Sequence, residues 1–267
     1  MMGVSRSGYY AWCDGTTSER TARNEILLHE IREIHLQSRS TYGSPRICAA
    51  LRHRGYVCNR KRITRLMRVS SIYAKTKRRF KVTTHGRHHL PVAPNLLCQN
   101  FTAFAPNRVW TSDITYLWTR EGWVYLAVVM DVYSRLIVGW ELSDRLTTPL
   151  VTTAVRRALE QRRPDAGLVF HSDRGSQYAS DDLRALAEHH RISVSMSGTG
   201  NCYDNAVTES FFHTLKTEHT FFQRYETREE ARLGIFDYIE AFYNRSRLHS
   251  TLGNVSPAEF EEQTLAT

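Results

Sequence analysis

The sequence predicts an α/β protein with a mixed five-stranded sheet and flanking helices, preceded by a small all-α region. Three observations support this class. Residues 18–68 repeat apolar side chains at helical spacing, and residues 109–142 form three runs rich in β-branched and aromatic residues. From residue 148 onward, helical and strand patterns alternate. A chain of 267 residues that is 41% hydrophobic is long enough for one large domain with smaller appendages.

Residues 1–74 are predicted to contain three short helices. Ser18 can cap a helix over residues 18–38. A second helix begins at Ser44-Pro45, where proline is tolerated in the first turn, and a third spans residues 59–67. This pattern, with a basic third helix, is typical of a helix-turn-helix-like DNA-binding module, and the alternative is a plain helical bundle. The apolar residues that give the helical spacing are Ile26, Leu27, Ile31, Ile34, Ile63, Leu66 and Met67.

Charge is distributed unevenly along the chain. Residues 1–100 hold 19 Lys and Arg against 5 Asp and Glu, whereas residues 101–267 hold 17 against 22. A basic front half suits binding to a polyanion, and the alternative is a solvated basic surface without a partner. Residues 75–107 are predicted to be a basic, proline-containing linker. The residues expected to contact DNA in this half are Arg60, Lys61, Arg62, Arg65, Lys75, Lys77, Arg78, Arg79 and Lys81.

Residues 108–225 are predicted to form the main domain. Strands over residues 109–118, 123–133 and 136–142 are joined by turns short enough for antiparallel hairpins. Three antiparallel strands followed by alternating helices and strands is the order of the RNase H-like fold. Residues 226–267 are expected to form a C-terminal helix and a tail that packs on this domain. The alternating part is predicted as helix 148–163, strand 168–171, helix 180–190, strand 192–196 and helix 204–220.

Three acidic residues are the candidates for chemistry. Asp113 lies in a β-rich run, and Asp173 ends a short apolar strand in His-Ser-Asp-Arg-Gly-Ser-Gln-Tyr. Glu209 lies early in a helix, about 200° around the axis from Val207 and so away from the apolar stripe. Carboxylates brought together by a fold suit Mg²⁺, and two such ions can hold the attacking and leaving oxygens of a phosphodiester.

Four further residues have a functional and a structural interpretation. Lys216 lies two turns beyond Glu209 and can meet a DNA phosphate or be a solvated helix lysine. His171 can touch the substrate or be a hydrogen-bonded structural histidine, and Asn205 is an accessory residue or part of a helix cap. Asp131 is the rival carboxylate, for which a structural role at the turn Ser134-Arg135 is favoured.

Several classes of protein are disfavoured by the composition. No stretch approaches the roughly 20 apolar residues that span a bilayer, and the N-terminus carries no apolar signal segment, so a cytoplasmic protein is expected. The five cysteines are scattered and form no Cys-x-x-Cys. Neither a disulfide framework nor a zinc knuckle is therefore predicted.

The residues around the three acids closely resemble the DDE transposases and integrases, with 35 residues between Asp173 and Glu209. Within that group the chain resembles the catalytic (OrfB) protein of the insertion-sequence-three family of bacterial transposases. The resemblance runs nearly end to end. Its other motifs are Gly-Val-Ser-Arg-Ser-Gly-Tyr-Tyr at 3–10, Tyr-Gly-Ser-Pro-Arg-Ile at 42–47, and Tyr-Asn-Arg at 243–245 followed by His249, Leu252, Gly253, Ser256 and Pro257.

The resemblance implies a polynucleotidyl transferase of the RNase H-like superfamily. Asp113, Asp173 and Glu209 would be its catalytic residues and metal ligands, for two Mg²⁺ ions that Mn²⁺ can replace. It implies that water frees a 3′-hydroxyl at an element end, which then attacks a second phosphodiester and joins the two ends in a circle. A basic residue at Lys216 also fits the family.

Expected partners are double-stranded DNA, both element ends and target, and further copies of the chain on DNA at the bacterial nucleoid. The resemblance also implies an upstream-frame product with its own helix-turn-helix and coiled coil, fused by frameshifting. Because Met1-Met2 stand directly before Gly3, the chain is expected to be the catalytic half, with weak sequence preference alone. The competing view is that residues 18–68 read the terminal repeats unaided.

Two other functions stay open from the sequence. The first is a non-catalytic DNA-binding relic or regulator that kept the fold, which the intact acidic residues disfavour. The second is a simple nuclease acting on RNA–DNA hybrids, which the basic front half disfavours because such an enzyme needs no DNA-binding arm.

Overall fold

The computed structural model describes residues 5–13, 18–75, 93–198 and 202–266. The chain divides into two compact units, Met1–Thr76 and Lys77–Thr267. Most of the predicted basic segment, including Lys77, Arg78, Arg79 and Lys81, lies outside the described residues. None of the described helices is long and apolar enough to cross a membrane.

The first unit is helical, as predicted. Its helices are α1 (Arg6–Cys13), α2 (Glu19–Gln37), α3 (Ser44–His53) and α4 (Arg60–Val69). The Ser18 side chain accepts a hydrogen bond from the Thr21 amide at the start of α2, at 3.2 Å. The Asn59 side chain does the same for Lys61 at the start of α4, at 2.9 Å. The buried residues that join α2, α3 and α4 are Leu27, Ile31, Ile34, Ile47, Leu51, Ile63, Leu66 and Met67.

Ile26 is an exception among the apolar residues of α2, because its side chain is 55% exposed. The stripe that packs inward is Leu27, Ile31 and Ile34. Ile26 is rotated about 100° from Leu27 and therefore falls outside that stripe.

The second unit is built on a five-stranded mixed sheet, which confirms the predicted fold class. Strands β1 (Val109–Thr119), β2 (Gly122–Asp131) and β3 (Ile137–Ser143) form an antiparallel meander. Strands β4 (Val169–Ser172) and β5 (Ser193–Met196) add in parallel on the other edge of β1. The strand order is β3-β2-β1-β4-β5.

Helices α5 (Thr148–Arg162) and α6 (Asp181–His189) share the main core with the sheet. Gly139 on β3 lets α5 approach closely, because a Cβ there would lie 2.3 Å from the Ala154 carbonyl oxygen. Trp110 of β1 is fully buried in this core. Since neighbouring residues of a strand point to opposite faces, Thr111 and Asp113 point away from α5 and α6.

Helix α7 (Ala206–Glu218) packs on β1 after a 3₁₀ turn, Cys202–Asn205. The C-terminal part comprises α8 (Arg228–Phe236), which continues as a π-helix over Asp237–Tyr243, and a further helix α9 (Pro257–Leu265). The sequence analysis predicted α8 and its extension as one regular helix and missed α9. Ser256 caps α9 by accepting a hydrogen bond from the Glu259 amide.

The segment after the π-helix is anchored by polar contacts with elements distant in sequence. The Asn244 side chain bonds both the amide and the carbonyl of Ile137 on β3, at 3.0 Å each. Arg247 is buried and donates to both carboxylate oxygens of Glu218 at the end of α7, at 2.7 Å each. Tyr238 donates to the same carboxylate at 3.1 Å.

Candidate active site

Asp113 and Asp173 lie at the same level of two neighbouring parallel strands. The register pairs Thr111 of β1 with His171 of β4, and each aspartate follows two residues later. Residues two apart on a strand share a face, so Asp113 lies on the α7 side with Thr111. The strand register therefore brings these two carboxylates together at the carboxyl end of β4, beside the middle of β1.

Helix α7 is fastened to the two residues of β1 that precede Asp113. Thr208 donates a hydrogen bond to the Thr111 hydroxyl at 2.8 Å, and the Asn205 amide group donates to the Ser112 carbonyl at 3.2 Å. Glu209 follows Thr208 directly and is exposed. The predicted stripe of Val207, Phe211 and Leu215 is buried, as expected.

The three carboxylates influence one another electrostatically. Burial raises the pKa of Asp113 well above its usual range, and the charges of Asp173 and Glu209 raise it further. The Ile114 amide, which donates to Asp113 Oδ1 at 2.8 Å, and the cation of Lys216 act in the opposite direction. Burial, with the charge of Asp173, also raises the pKa of Glu209. The site thus holds a surplus of negative charge that a cation would neutralise.

The donor chemistry of this group fits a hard divalent cation, because all three side chains offer carboxylate oxygens. Among the described residues, no three acidic, histidine or cysteine side chains are close enough as placed to enclose a metal ion. Asp173 Oδ1 accepts the Gly175 amide at 2.9 Å, whereas the Glu209 side chain is exposed. For the three carboxylates to bind one ion together, their side chains must rotate. The side chain of Glu209 is exposed and has the space to do so.

The loop after β4 holds Asp173 in place. A Cβ on Gly175 would lie 3.0 Å from Asp173 Oδ1 and 3.1 Å from Gln177 Oε1, which explains the glycine in this motif. Tyr178 is buried, and its hydroxyl lies 2.9 Å from the Ser112 hydroxyl. Burial raises the pKa of Tyr178, and the nearby charges of Asp113 and Asp173 add to the rise. The sequence analysis missed Tyr178, although it ends the Asp173 motif.

His171 is fully buried between β5 and the segment before β1. Its Nδ1 lies 2.8 Å from the Ser195 hydroxyl, which accepts the Leu96 amide at 2.9 Å. Burial lowers the pKa of His171. A fully buried histidine with these contacts fits the structural interpretation better than contact with substrate.

Asn205 stands at the start of α7, but its side chain makes no capping hydrogen bond. It donates instead to Ser112, next to Asp113, while its buried Oδ1 has no hydrogen-bond partner among the described residues. The neighbouring Asp204 accepts hydrogen bonds from Gly198 at 2.6 Å and from Asn95 at 2.9 Å. Asn205 therefore links α7 to β1.

Asp131 is fully buried beside the start of β1, where it pairs in register with Trp110. Its carboxylate accepts the amides of Asn107 at 2.7 Å and of Tyr133 at 3.0 Å. Its main-chain carbonyl accepts the Arg135 amide at 2.8 Å. These contacts fit the favoured structural role at the turn and separate Asp131 from the other three acids.

Lys216 lies close to Tyr116 and acts electrostatically on Asp113. Its Nζ lies 5.3 Å from the centre of the Tyr116 ring, and its charge acts on Asp113. Burial lowers the pKa of Lys216, and the charge of Asp113 opposes that effect. Lys216 is therefore part of the acidic site and differs from a freely solvated lysine.

The basic residues of α4 do not behave alike. Arg60, Lys61 and Arg65 are exposed, as expected for residues that contact DNA. Arg62 is half-buried and donates to the Asn24 side chain of α2 at 3.0 Å, so it joins two helices of the unit. Arg62, which was expected to contact DNA together with its neighbours, thus differs from them in making a contact inside the unit. Lys75 is also half-buried.

Family profiles match both units. A profile described as an HTH-like domain matches residues 22–80. Profiles described as the integrase core domain match residues 103–202 and 209–265. Among solved structures, the simian T-cell lymphotropic virus intasome in complex with PP2A regulatory subunit B56 gamma has a TM-score of 0.51 at 14% identity, covering 86% of this chain and 74% of that chain. At that identity the likeness shows the fold alone.

Similar sequences carry more information. The insertion element IS600 uncharacterized 31 kDa protein of Shigella sonnei is 48% identical over 263 residues, covering 98% of this chain and 97% of that protein. Transposase InsF for insertion sequence IS3A of Escherichia coli strain K12 is 42% identical over 269 residues, covering 100% of this chain and 93% of that protein. With this identity over its whole length, the chain belongs to the IS3 family of insertion-sequence transposases.

Proposed function

We propose that this member of the transposase family cleaves and joins DNA at the ends of an insertion sequence, with Asp113, Asp173 and Glu209 as its catalytic residues. The observation that supports this most directly is the register of β1 and β4. It sets two aspartates side by side, and the attachment of α7 to β1 at Thr208 brings Glu209 close to the same part of β1.

The three carboxylates would hold two Mg²⁺ ions, and Mn²⁺ would replace them. When bound there, the ions supply charge that activates the attacking hydroxyl and stabilises the leaving oxygen. The Ile114 and Gly175 amides orient the two aspartates through the hydrogen bonds described above. Lys216, close to Asp113, would hold a DNA phosphate beside the scissile bond.

The reaction proposed for these groups has two displacements at phosphorus. Water attacks the phosphodiester at an element end and releases a 3′-hydroxyl. That hydroxyl then attacks a second phosphodiester, so that one bond to phosphorus forms as another breaks. Neither displacement requires a covalent bond between protein and DNA.

Binding of double-stranded DNA is assigned mainly to the helical region. The exposed residues Arg60, Lys61 and Arg65 on α4 would contact phosphates. We further propose that several copies of the chain assemble on DNA at the bacterial nucleoid. An upstream-frame product would supply most of the preference for terminal repeats.

Cleavage of labelled element-end DNA by the purified chain tests this proposal. Asp113→Asn, Asp173→Asn and Glu209→Gln should each abolish cleavage and strand transfer while DNA binding persists, because each removes a proposed metal ligand. Asp182→Asn, at an exposed position on α6, is the matched control and should retain activity.

Three outcomes would overturn parts of the proposal. Wild-type activity in any of the three site variants would remove that residue from the catalytic group. Cleavage in excess EDTA would exclude the metal-dependent reaction. Binding of element ends without cleavage by the wild-type chain, also in fusion with the upstream product, would favour the non-catalytic regulator.

A further inference from the structure

Residues 94–98, here called the edge segment, run beside β5, the last strand of the sheet. The Met196 amide donates to the Pro94 carbonyl at 3.3 Å, and the Leu96 amide donates to the Ser195 hydroxyl at 2.9 Å. Leu97 is buried. The edge segment is therefore held against the sheet of the second unit, although it precedes β1 in the chain.

The edge segment reaches the strand that leads to Asp173. The Ser195 hydroxyl that accepts the Leu96 amide also lies 2.8 Å from Nδ1 of His171. His171 is fully buried on β4, and Asp173 follows it by two residues. A chain of two polar contacts thus connects the edge segment with the strand before this carboxylate.

Asn95 connects the edge segment with the start of α7. Its side-chain oxygen accepts the amides of Leu97 at 3.2 Å and of Cys98 at 3.0 Å, which holds the turn of the edge segment. Its side-chain nitrogen donates to Asp204 Oδ2 at 2.9 Å. Both ends of this amide group are therefore used, one inside the edge segment and one across to Asp204.

The Asp204 carboxylate joins three parts of the chain at one point. It is 1% exposed, and the oxygen that accepts from Asn95 also accepts the Gly198 amide at 2.6 Å. Asp204 belongs to the 3₁₀ turn Cys202–Asn205 directly before α7, where Asn205 donates to β1. A buried carboxylate is costly without donors, so the contact with Asn95 helps to determine where α7 begins.

The start of α7 matters for the acidic site because Glu209 follows Asp204 by only five residues. At 1.5 Å per residue, this separation is about 7.5 Å along a helix axis. Mg²⁺ demands near-ideal octahedral geometry, with its oxygens at about 2.0–2.1 Å. A small displacement of α7 is therefore enough to weaken a contact made through Glu209.

We propose that Asn95 is a positioning residue for the transposition reaction. By holding Asp204 it fixes the start of α7, and with it the place from which the Glu209 side chain reaches a divalent cation. In this role Asn95 acts through the helix and needs no contact of its own with the ion. The inference rests on the proposed function, because it takes Glu209 as a metal ligand.

Asn95→Asp in the full chain tests the contact with little change of shape. The new carboxylate keeps an oxygen for the Leu97 and Cys98 amides but faces Asp204 as a second acceptor, so the two groups repel each other. Binding of Mn²⁺ without DNA, followed by electron paramagnetic resonance of the free ion, should weaken about 10-fold. The rate of cleavage of element-end DNA should fall as well, while the KM for DNA stays close to that of the wild type.

A second variant, Asn95→Ser, removes the contact without adding a charge. Serine keeps an oxygen that can accept the turn amides, but its side chain is too short to reach Asp204. Mn²⁺ binding should weaken in this variant too, and its result decides if Asn95→Asp does not fold.

Two further variants separate positioning from a general loss of stability. Asp204→Asn combined with Asn95→Asp restores a donor opposite the new carboxylate and should recover most of the Mn²⁺ binding and cleavage. Glu261→Gln weakens a buried contact between α9 and Arg162. It should lower the melting temperature and leave Mn²⁺ binding unchanged.

Three results would overturn the inference. They are Mn²⁺ binding in the two single Asn95 variants equal to that of the wild type, no recovery in the double variant, and equal weakening of Mn²⁺ binding by Glu261→Gln. The first of these with normal cleavage by the wild-type chain would leave the proposed function intact. The expected pattern of Mn²⁺ binding without cleavage by the wild-type chain would support the inference while counting against the proposed function.

Discussion

Replacing Arg247 with methionine should destabilise the second unit strongly. The guanidinium donates to both oxygens of Glu218, each at 2.7 Å, and both side chains are less than a tenth exposed. Methionine keeps much of the side-chain volume but removes the positive charge. The carboxylate of Glu218 then stays buried without the guanidinium and keeps the hydrogen bond from the Tyr238 hydroxyl.

The magnitude follows from that uncompensated charge. Breaking a buried ion pair by removing one partner costs about 3–5 kcal/mol. For a unit of this size, each kcal/mol of lost unfolding free energy lowers the melting temperature by about 2–4 °C. We therefore expect the melting temperature of the Arg247→Met variant to fall by roughly 6–20 °C. The double variant Glu218→Leu with Arg247→Met removes both charges and should recover most of the loss, since apolar replacement of a whole buried pair is often neutral.

Thermal unfolding followed by circular dichroism measures these differences. The matched control is Arg120→Met, because Arg120 pairs with Glu226 at 3.0 Å but both side chains are more than half exposed. Such a surface pair contributes at most about 1 kcal/mol. A single Arg247 variant that melts within the range of this control would refute the reasoning, and so would a double variant no more stable than the single one.

Two further predictions concern pH and salt. Burial raises the pKa of Asp131 from 3.8 to about 6, so its protonated form favours the folded state. This stabilisation of the folded state is fully present below about pH 4 and is lost as the pH rises through about 6. Chemical unfolding across this range should show that Asp131→Asn removes about 3 kcal/mol of the pH-dependent change in unfolding free energy. An unchanged pH profile in Asp131→Asn would contradict this prediction. Changing Arg60, Lys61 and Arg65 together to alanine should flatten the slope of log affinity against log salt by up to about 2.7. An equally large flattening of the salt slope in an α2 variant that loses the same charge would show that the effect is not specific to α4. That control carries Arg20→Ala, Arg23→Ala and Arg32→Ala.

Local patterns in the sequence predicted most of the elements. The apolar stripe of α7 gave the orientation of Glu209, and β-branched runs gave the three antiparallel strands close to their observed limits. These predictions succeed because a helix or strand shows its buried face within a few residues of sequence. Helix α9 was missed because its sequence, Pro257–Leu265, buries only Pro257 and Glu261 and so shows no apolar stripe.

Contacts between distant residues could not be predicted in this way. The parallel register that aligns Asp113 with Asp173, and the bond between Tyr178 and Ser112, depend on how strands and loops meet in space. The environment of Arg62 could not be predicted from the sequence for the same reason. As an arginine on a basic helix it resembles its neighbours, and only its contact with Asn24 distinguishes it from them.

The attachment of α7 at both ends has a consequence for the energetics of metal capture. Thr208 holds the start of the helix to β1, and Glu218 holds its end to Arg247. A helix held by two contacts cannot tilt toward a bound ion without breaking one of these contacts. The reorganisation that the proposed ligation requires then falls on the exposed Glu209 side chain, whose ordering costs at most about 2 kcal/mol of conformational entropy. The cost of the proposed ligation is therefore confined to one side chain while the backbone of the site keeps its shape.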